Sequence, residues 1–195
     1  NSPAKNRAMR EWGATLVEHG RDFDEARVHA AALATERGIR FVGPFERELV
    51  AGVATYALEL FRAAPPLDRV YVPIGCGSGI CGLIAARDAL GLGTEIVGVV
   101  STLANAYAQS FAAGRAIETA TADTIADGMA VRVPVPAALA TILKGAAGVV
   151  EVSDADVEEA MRVYFDDTHQ VAEGAGAAPL AALMNTNDRA GMRVA

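Results

Sequence analysis

The segment at residues 70–82, VYVPIGCGSGICG, constrains the fold of this chain more than any other part of the sequence. Its first five residues form an uninterrupted apolar run, which is typical of a buried parallel strand. Glycines at positions 75, 77 and 79 then alternate through a turn, and a helix pattern follows. This succession predicts a strand, a tight turn and a helix, with the turn at the carboxyl edge of a sheet, where open α/β sheets bind ligands.

Strand and helix signals alternate along the rest of the chain. Strands are predicted at 14–17, 39–42, 70–74, 95–100, 129–133 and 149–152, with another beginning at 191–195. Helices are predicted at 3–12, 22–38, 48–62, 80–90, 105–113, 136–144, 153–165 and 174–184. The alternation predicts an open, mainly parallel, doubly wound α/β sheet with helices on both faces. The Gly43-Pro44 break predicts two lobes, residues 1–43 and 44–195.

Composition excludes several classes of protein. With 195 residues and 52% apolar content, the chain is long enough for one domain or slightly more, and charge or glycine interrupts every apolar run before membrane-spanning length. Seventeen basic residues against 24 acidic ones, without a basic stripe, argue against a nucleic-acid partner. Two cysteines form neither a disulfide framework nor a zinc pattern, which predicts a cytoplasmic protein. The chain opens without Met in a helix start and closes on a beginning strand, as an internal piece of a longer chain would.

The glycine-rich turn predicts an anion-binding site. Glycine allows positive φ and close approach of the backbone to a ligand. The helix that follows presents unpaired N–H groups and the positive end of its dipole, which together suit a phosphate dianion. The alternative is a tight turn with no ligand, but three alternating glycines exceed what such a turn requires.

Three classes of ligand compete for this turn. The segment 77–82 satisfies the dinucleotide pattern G-x-G-x-x-G, which also needs an acidic residue at the end of the next strand. That strand ends in apolar residues, and Glu95 stands at its wrong end. The turn also looks like the first motif of S-adenosylmethionine-dependent methyltransferases, whose preceding acid is replaced here by Pro73. A phosphate without a ribose needs neither carboxylate, which favours pyridoxal phosphate.

Together with the preceding Val72-Pro73-Ile74, the turn resembles the tetraglycine phosphate loop of fold-type II pyridoxal-phosphate enzymes, the threonine dehydratase and serine racemase family. Cys and Ser replace two of the family's four glycines. Further similarity lies at 1–5, 41–45, 51–55, 124–128 and 171–176. The strings GCGSG and AEGAGAA look closest to the dehydratases of hydroxyectoine and ectoine utilization.

The resemblance implies a fold of the tryptophan synthase beta type, with 44–195 as the larger, cofactor-binding domain. It implies a dehydratase (ammonia-lyase) that converts a hydroxy amino acid such as threonine or serine to a 2-oxo acid and ammonia, in a homo-oligomer, dimer or tetramer. An amino acid racemase and a non-catalytic phosphate- or nucleotide-binding domain stay open as alternatives. The residues it implies for binding pyridoxal 5'-phosphate are Gly75, Cys76, Gly77, Ser78, Gly79 and Gly128, with Glu173 as a possible catalytic residue near the pyridine.

Departures from the family pattern are equally informative. The family's Schiff-base lysine is expected upstream of Asn1, and its serine-glycine segment downstream of Ala195, so the 195 residues alone are predicted to be inactive. Neither Lys5 nor Lys144 is expected to replace that lysine. The segment 100–106, where some relatives hold a divalent cation, has no carboxylate, so no metal is predicted. For Glu173 the alternative role is an acid that complements a helix dipole, and Asp127 is interpreted as a turn residue. The three histidines, which lack ligand spacing, are expected at surfaces or caps: His19, His29 and His169.

Overall fold

The structure is a computed structural model that describes residues 2–187 and 190–195. The chain divides into two compact units, Asn1–Gly43 and Pro44–Ala195. Among the described residues, no helix combines the length and the apolar character needed to span a bilayer.

The first unit consists of two helices, α1 (Pro3–Glu11) and α2 (Phe23–Arg37). Each begins at a capping residue, because the side chain of Ser2 accepts a bond from the Lys5 N–H and that of Asp22 accepts one from the Glu25 N–H. The sequence predicted both helices. Gly38 ends α2 in the left-handed conformation.

The strands predicted at 14–17 and 39–42 are wrong. Both segments follow a helix directly, and their first N–H groups close that helix instead of entering a ladder. The Ala14 N–H donates to the Met9 carbonyl at 3.1 Å, and the Ile39 N–H donates to the Ala34 carbonyl at 3.0 Å. A strand needs a neighbouring strand to pair with, and neither segment has one among the described residues.

The second unit is an α/β structure around a parallel sheet. Its elements are α3 (Arg47–Ala63), β1 (Arg69–Pro73), α4 (Ser78–Ala89), β2 (Glu95–Ser101), α5 (Ala106–Ala113), a 3₁₀ turn (Asp127–Met129), α6 (Pro136–Gly145), β3 (Gly148–Val152), α7 (Asp154–Thr168) and α8 (Gly174–Asn185). The described strands run in the order β1-β2-β3, with Val72 opposite Gly98 and Val99 opposite Val150. The parallel α/β fold predicted from the alternation is confirmed.

Helices cover this sheet in two packed groups. Helix α4 lies on β1 and β2 and packs against α3 and α6, whereas α8 crosses all three strands and packs against α7. Both α4 and α8 bury apolar residues along most of their length. The apolar side chains of α4 and α8 therefore pack against the strands and bury the sheet.

Two strand predictions in this unit have different outcomes. At 129–133 the strand is wrong, because the Met129 N–H donates locally to the Ala126 carbonyl at 2.8 Å and forms the 3₁₀ turn. Alternate burial of Met129 and Val131 produced the strand-like pattern without any ladder. At 191–195 a single parallel bridge joins Val194 to Arg69 on the outer edge of β1, and the Tyr71 N–H donates to the Ala195 carbonyl at 2.9 Å, so the predicted strand is present as a short pairing with β1.

Candidate functional site

The glycine-rich loop at residues 74–77 connects β1 to α4 at the carboxyl edge of the sheet. Pairing with β2 continues up to the loop, because the Ile74 N–H donates to the Val99 carbonyl at 2.9 Å. Beyond Ile74 the chain leaves the sheet and turns into the first residue of α4. The loop therefore has a rigid strand on one side and a buried helix on the other.

Gly77 occupies a position that only glycine fits. Its φ is +93°, in the left-handed region, and it caps the N-terminus of α4. A Cβ at this position would lie 2.6 Å from the Cβ of Ala138 on α6 and 3.3 Å from the hydroxyl oxygen of Tyr107 on α5. Two neighbouring helices, α5 and α6, thus pack tightly against the loop backbone at Gly77.

Gly75 brings the loop against the 3₁₀ turn. A Cβ on Gly75 would clash directly with the carbonyl oxygen of Gly128. Two segments separated by more than fifty residues in sequence are therefore in backbone contact. This approach is possible only because residue 75 has no side chain.

Glu173 lies beside the same turn. It is the N-cap residue of α8, and its side chain makes no capping bond to that helix. A Cβ on Gly128 would lie 3.6 Å from the Glu173 Oε1 and 3.0 Å from the Cβ of Ala175. The structure thus places the loop, Gly128 and Glu173 side by side, whereas Asp127 is exposed at the start of the 3₁₀ turn, as a turn residue would be.

The start of α4 presents hydrogen-bond donors. Helix geometry leaves the N–H groups of Ser78, Gly79 and Ile80 without an intrahelical acceptor. The Cys81 N–H is the first to bond within the turn, at 3.1 Å from the Gly77 carbonyl. No acidic side chain lies in the first turn of α4, so the positive end of the helix dipole is not neutralised there. The residues present therefore fit a phosphate dianion.

Tyr107 is a residue of this site that the sequence did not reveal. Its side chain is buried on α5, and its hydroxyl donates to the Cys76 carbonyl at 3.1 Å. The same oxygen accepts a bond from the Val135 N–H at 2.9 Å. The only signal in the sequence is one tyrosine within an alanine-rich helix, and nothing there indicates that it reaches the loop.

Asp154 was also missed. It is the first residue of α7, and its carboxylate accepts bonds from the Thr124 hydroxyl at 2.5 Å and from the Ile125 N–H at 3.0 Å. The buried hydroxyl of Ser101 donates to it at 3.3 Å. These bonds fix the segment that leads into Gly128. A sequence shows Asp154 only as an acid in the first turn of a helix.

The two cysteines have different environments. Cys81 is buried on α4, and burial raises the pKa of its thiol to about 11, an effect that a hydrogen bond with Thr141 only partly offsets. Its Sγ lies 3.7 Å from the Ala138 carbonyl. Cys76 is partly exposed in the loop. Cys81 is therefore a packing residue, and Cys76 is the more accessible thiol.

Other candidate residues lie elsewhere. Lys5 is exposed in the first unit, and Lys144 is exposed in the last turn of α6. Glu95 stands at the start of β2 and forms an ion pair with Arg69 at 2.6 Å, a structural role at the edge opposite the loop. His19 and His29 stack on each other within the first unit, with ring centroids 3.7 Å apart. Across residues 2–187 and 190–195, no three His, Cys, Asp or Glu side chains group as metal ligands.

Comparison with known proteins identifies the family. The family model for pyridoxal-phosphate dependent enzymes matches residues 1–193. An L-threonine ammonia-lyase of Geobacter sulfurreducens is 36% identical over 184 residues, which are 94% of this chain and 46% of that protein. The chain therefore spans about half the length of this curated relative.

Solved structures agree with this match. A threonine deaminase from T.th. superimposes with a TM-score of 0.89 at 30% identity, over 98% of this chain and 64% of that one. A pyridoxal 5'-phosphate-dependent aspartate racemase superimposes with a TM-score of 0.90 at 23% identity, over 99% and 61% of the two chains, and this likeness shows the fold alone. With a match over nearly its whole length, the chain belongs to the family of pyridoxal-phosphate dependent enzymes.

Proposed function

We propose that this chain is part of a pyridoxal-phosphate-dependent dehydratase that converts a hydroxy amino acid such as threonine or serine to a 2-oxo acid and ammonia. One observation carries the proposal: the glycine-rich loop, Gly128 and Glu173 meet at the carboxyl edge of the sheet. The relative from Geobacter sulfurreducens, named an L-threonine ammonia-lyase, supports the reaction type. Residues 44–195 are proposed as the larger, cofactor-binding domain and 1–43 as part of the smaller lobe.

The loop and the start of α4 are proposed to bind the cofactor phosphate. The contributing residues are Gly75, Cys76, Gly77, Ser78 and Gly79. Their role is positional, because a dianion held by fixed backbone N–H groups at a helix N-terminus determines where the rest of the ligand lies. Positioning of this kind lowers a reaction barrier by several kcal/mol, and the largest contribution that orientation can make is ~7–11 kcal/mol.

Gly128 and Glu173 are proposed to lie against the cofactor ring. Gly128 is exposed, and it has no side chain that would fill the space beside it. The Glu173 carboxylate lies beside that turn, where it can orient a ring bound there. When bound, pyridoxal phosphate supplies an electron sink for the charge left at the substrate Cα after proton removal.

Two groups that the proposed reaction needs are not assigned to any of these 195 residues. The lysine that binds the cofactor covalently is proposed to precede Asn1, and the hydroxyl that faces the pyridine nitrogen is proposed to follow Ala195. Lys5 and Lys144 are not assigned this role, since both lie exposed and a reactive lysine needs a desolvated pocket. We further propose that the protein acts in the cytoplasm as a homo-oligomer, dimer or tetramer.

The reaction is tested on the full-length protein with threonine, serine and hydroxyaspartate in separate assays. A 2-oxo acid and ammonia are expected in equal amounts from at least one of them. If none is converted while the cofactor remains bound, the lyase assignment is wrong. Chiral analysis of the recovered amino acid in the same samples detects a racemase, which would release no ammonia.

The remaining alternative is a non-catalytic phosphate- or nucleotide-binding domain. Absorbance of the lysine-bound cofactor, lost on borohydride reduction, is expected for the enzyme and absent for such a domain. Binding of NAD or S-adenosylmethionine in place of pyridoxal phosphate would support the alternative.

A further inference from the structure

Tyr107 connects two parts of the site through one buried oxygen. Its side chain is 2% exposed, and its hydroxyl lies between the Cys76 carbonyl, at 3.1 Å, and the Val135 N–H, at 2.9 Å. Because the Val135 N–H uses one lone pair of this oxygen, the hydroxyl proton is directed toward Cys76. A phenylalanine would fill the same space and lose both bonds.

The Cys76 carbonyl matters because of the peptide that follows it. In a trans peptide the C=O and the N–H point to opposite sides, and the described backbone contains no cis bond. Holding the Cys76 carbonyl toward Tyr107 therefore turns the Gly77 N–H to the other side of the loop. Gly77 does not by itself favour one orientation of this peptide, because the glycine backbone is permissive and adopts the observed φ of +93° without strain.

An anion site depends on this orientation. Backbone N–H groups attract a phosphate, and a carbonyl oxygen turned toward it would repel it. A loop of glycines and small residues can adopt either arrangement unless something outside the loop selects one. On the side where a Cβ of Gly77 would lie, the loop meets Ala138, Tyr107 and Ile142, and of these three side chains Tyr107 is the one that can donate a hydrogen bond.

We propose that Tyr107 is a positioning residue for the phosphate loop, in which its hydroxyl holds the Cys76–Gly77 peptide so that the Gly77 N–H faces the cofactor phosphate. The proposal rests on the proposed cofactor site. It concerns affinity for the phosphate group and requires nothing of the substrate or of the reaction catalysed.

The test compares two ligands on the full-length apoprotein: pyridoxal 5'-phosphate and pyridoxal, which lacks the phosphate. Binding is followed by absorbance for the wild type and for Tyr107→Phe. The variant is expected to bind pyridoxal 5'-phosphate about 3- to 10-fold more weakly, the effect of losing the hydrogen bond that holds the Cys76 carbonyl. Its affinity for pyridoxal is expected to stay within about twofold, because pyridoxal makes no phosphate contact.

The matched control is Tyr164→Phe, the same chemical change at a partly buried tyrosine of α7. It is expected to leave both affinities unchanged. If Tyr107→Phe weakens both ligands equally, or neither, the proposal is overturned. A wild-type protein that binds the two ligands equally would overturn it as well, since there would be no phosphate site to position.

A second variant covers the case in which Tyr107→Phe does not fold. Val135→Pro removes the N–H that orients the Tyr107 hydroxyl, and the native φ of −71° at this residue suits proline. A selective, smaller loss of affinity for pyridoxal 5'-phosphate is expected, and no selective loss would count against the proposal. Because none of these measurements uses turnover, a protein that discriminates as expected but converts no amino acid would refute only the proposed reaction.

Discussion

Replacement of Gly77 by alanine tests whether the loop is as tightly constrained as its geometry indicates. Two effects add. An L-residue in the left-handed region costs about 1–2 kcal/mol. In addition, the new methyl group would lie 2.6 Å from the Cβ of Ala138, and overpacking of this kind costs about 1–3 kcal/mol. The sum predicts a loss of about 2–5 kcal/mol in the free energy of unfolding.

Gly91→Ala separates the two effects. Gly91 has a φ of +66°, and a Cβ there would meet nothing within 4 Å. This variant should therefore show only the conformational cost, about 1–2 kcal/mol. The difference between the Gly77 and Gly91 variants measures the packing cost against Ala138.

The assay is urea unfolding of the full-length apoprotein, followed by circular dichroism, with the shift in midpoint converted through the measured m-value. Combining Gly77→Ala with Ala138→Gly removes the closest contact and should recover part of the packing cost, apart from about 0.5–1 kcal/mol for glycine within α6. If Gly77→Ala and Gly91→Ala destabilise the protein equally, the packing argument is refuted. Weaker binding of pyridoxal 5'-phosphate by Gly77→Ala is expected in parallel.

Three further predictions concern the surroundings of the loop. Asp154→Asn removes a carboxylate acceptor from the segment before Gly128, so it should destabilise the protein by about 1–2 kcal/mol. Amide hydrogen exchange should become faster selectively at residues 124–128, and a uniform acceleration along the chain would contradict this explanation. Hydrogen bonds from the Ser153 hydroxyl and N–H, and a further one from Asn185, lower the pKa of Asp156. The Asp156 carboxylate therefore stabilises the fold fully above the unfolded-state pKa of about 3.9, and this stabilisation is lost as pH falls through the lower pKa of the folded state. Asp156→Ala should therefore cost about 1 kcal/mol at pH 7, with the deficit shrinking below about pH 4 in urea titrations, and a deficit independent of pH would exclude this cause. Because burial raises the pKa of the Cys81 thiol to about 11, iodoacetamide at pH 8 should alkylate Cys76 well before Cys81 in peptide mass spectra, and equal labelling would be inconsistent with the buried thiol.

Local signals in the sequence were sufficient for the βα unit that contains the loop. The apolar run and the alternating glycines predicted β1, the turn and α4, and the structure starts and ends these elements within about two residues of the prediction. All eight predicted helices are present in the described residues. Helices and their caps depend on hydrogen bonds between residues close in sequence, which is why pattern and capping residues predict them well.

Strands were predicted less well, because they depend on partners distant in sequence. The segments at 14–17 and 39–42 look like strands, but their backbone groups close the ends of α1 and α2. At 129–133 the apolar residues are buried as expected, yet the backbone forms a 3₁₀ turn. A burial pattern shows which side chains face the interior and does not show whether a neighbouring strand is available.

By itself, the sequence determined the parallel α/β framework, the position of the glycine-rich loop at the end of a strand and the family to which the chain belongs. Gly128 and Glu173 were expected near the cofactor only through resemblance to relatives. Tertiary structure alone decided that Gly128 contacts the loop, that Ala138 closes its protein side and that the Tyr107 hydroxyl bonds to the Cys76 carbonyl. The physical reason is that these contacts join segments about thirty to sixty residues apart, and their geometry follows from how the helices pack around the sheet.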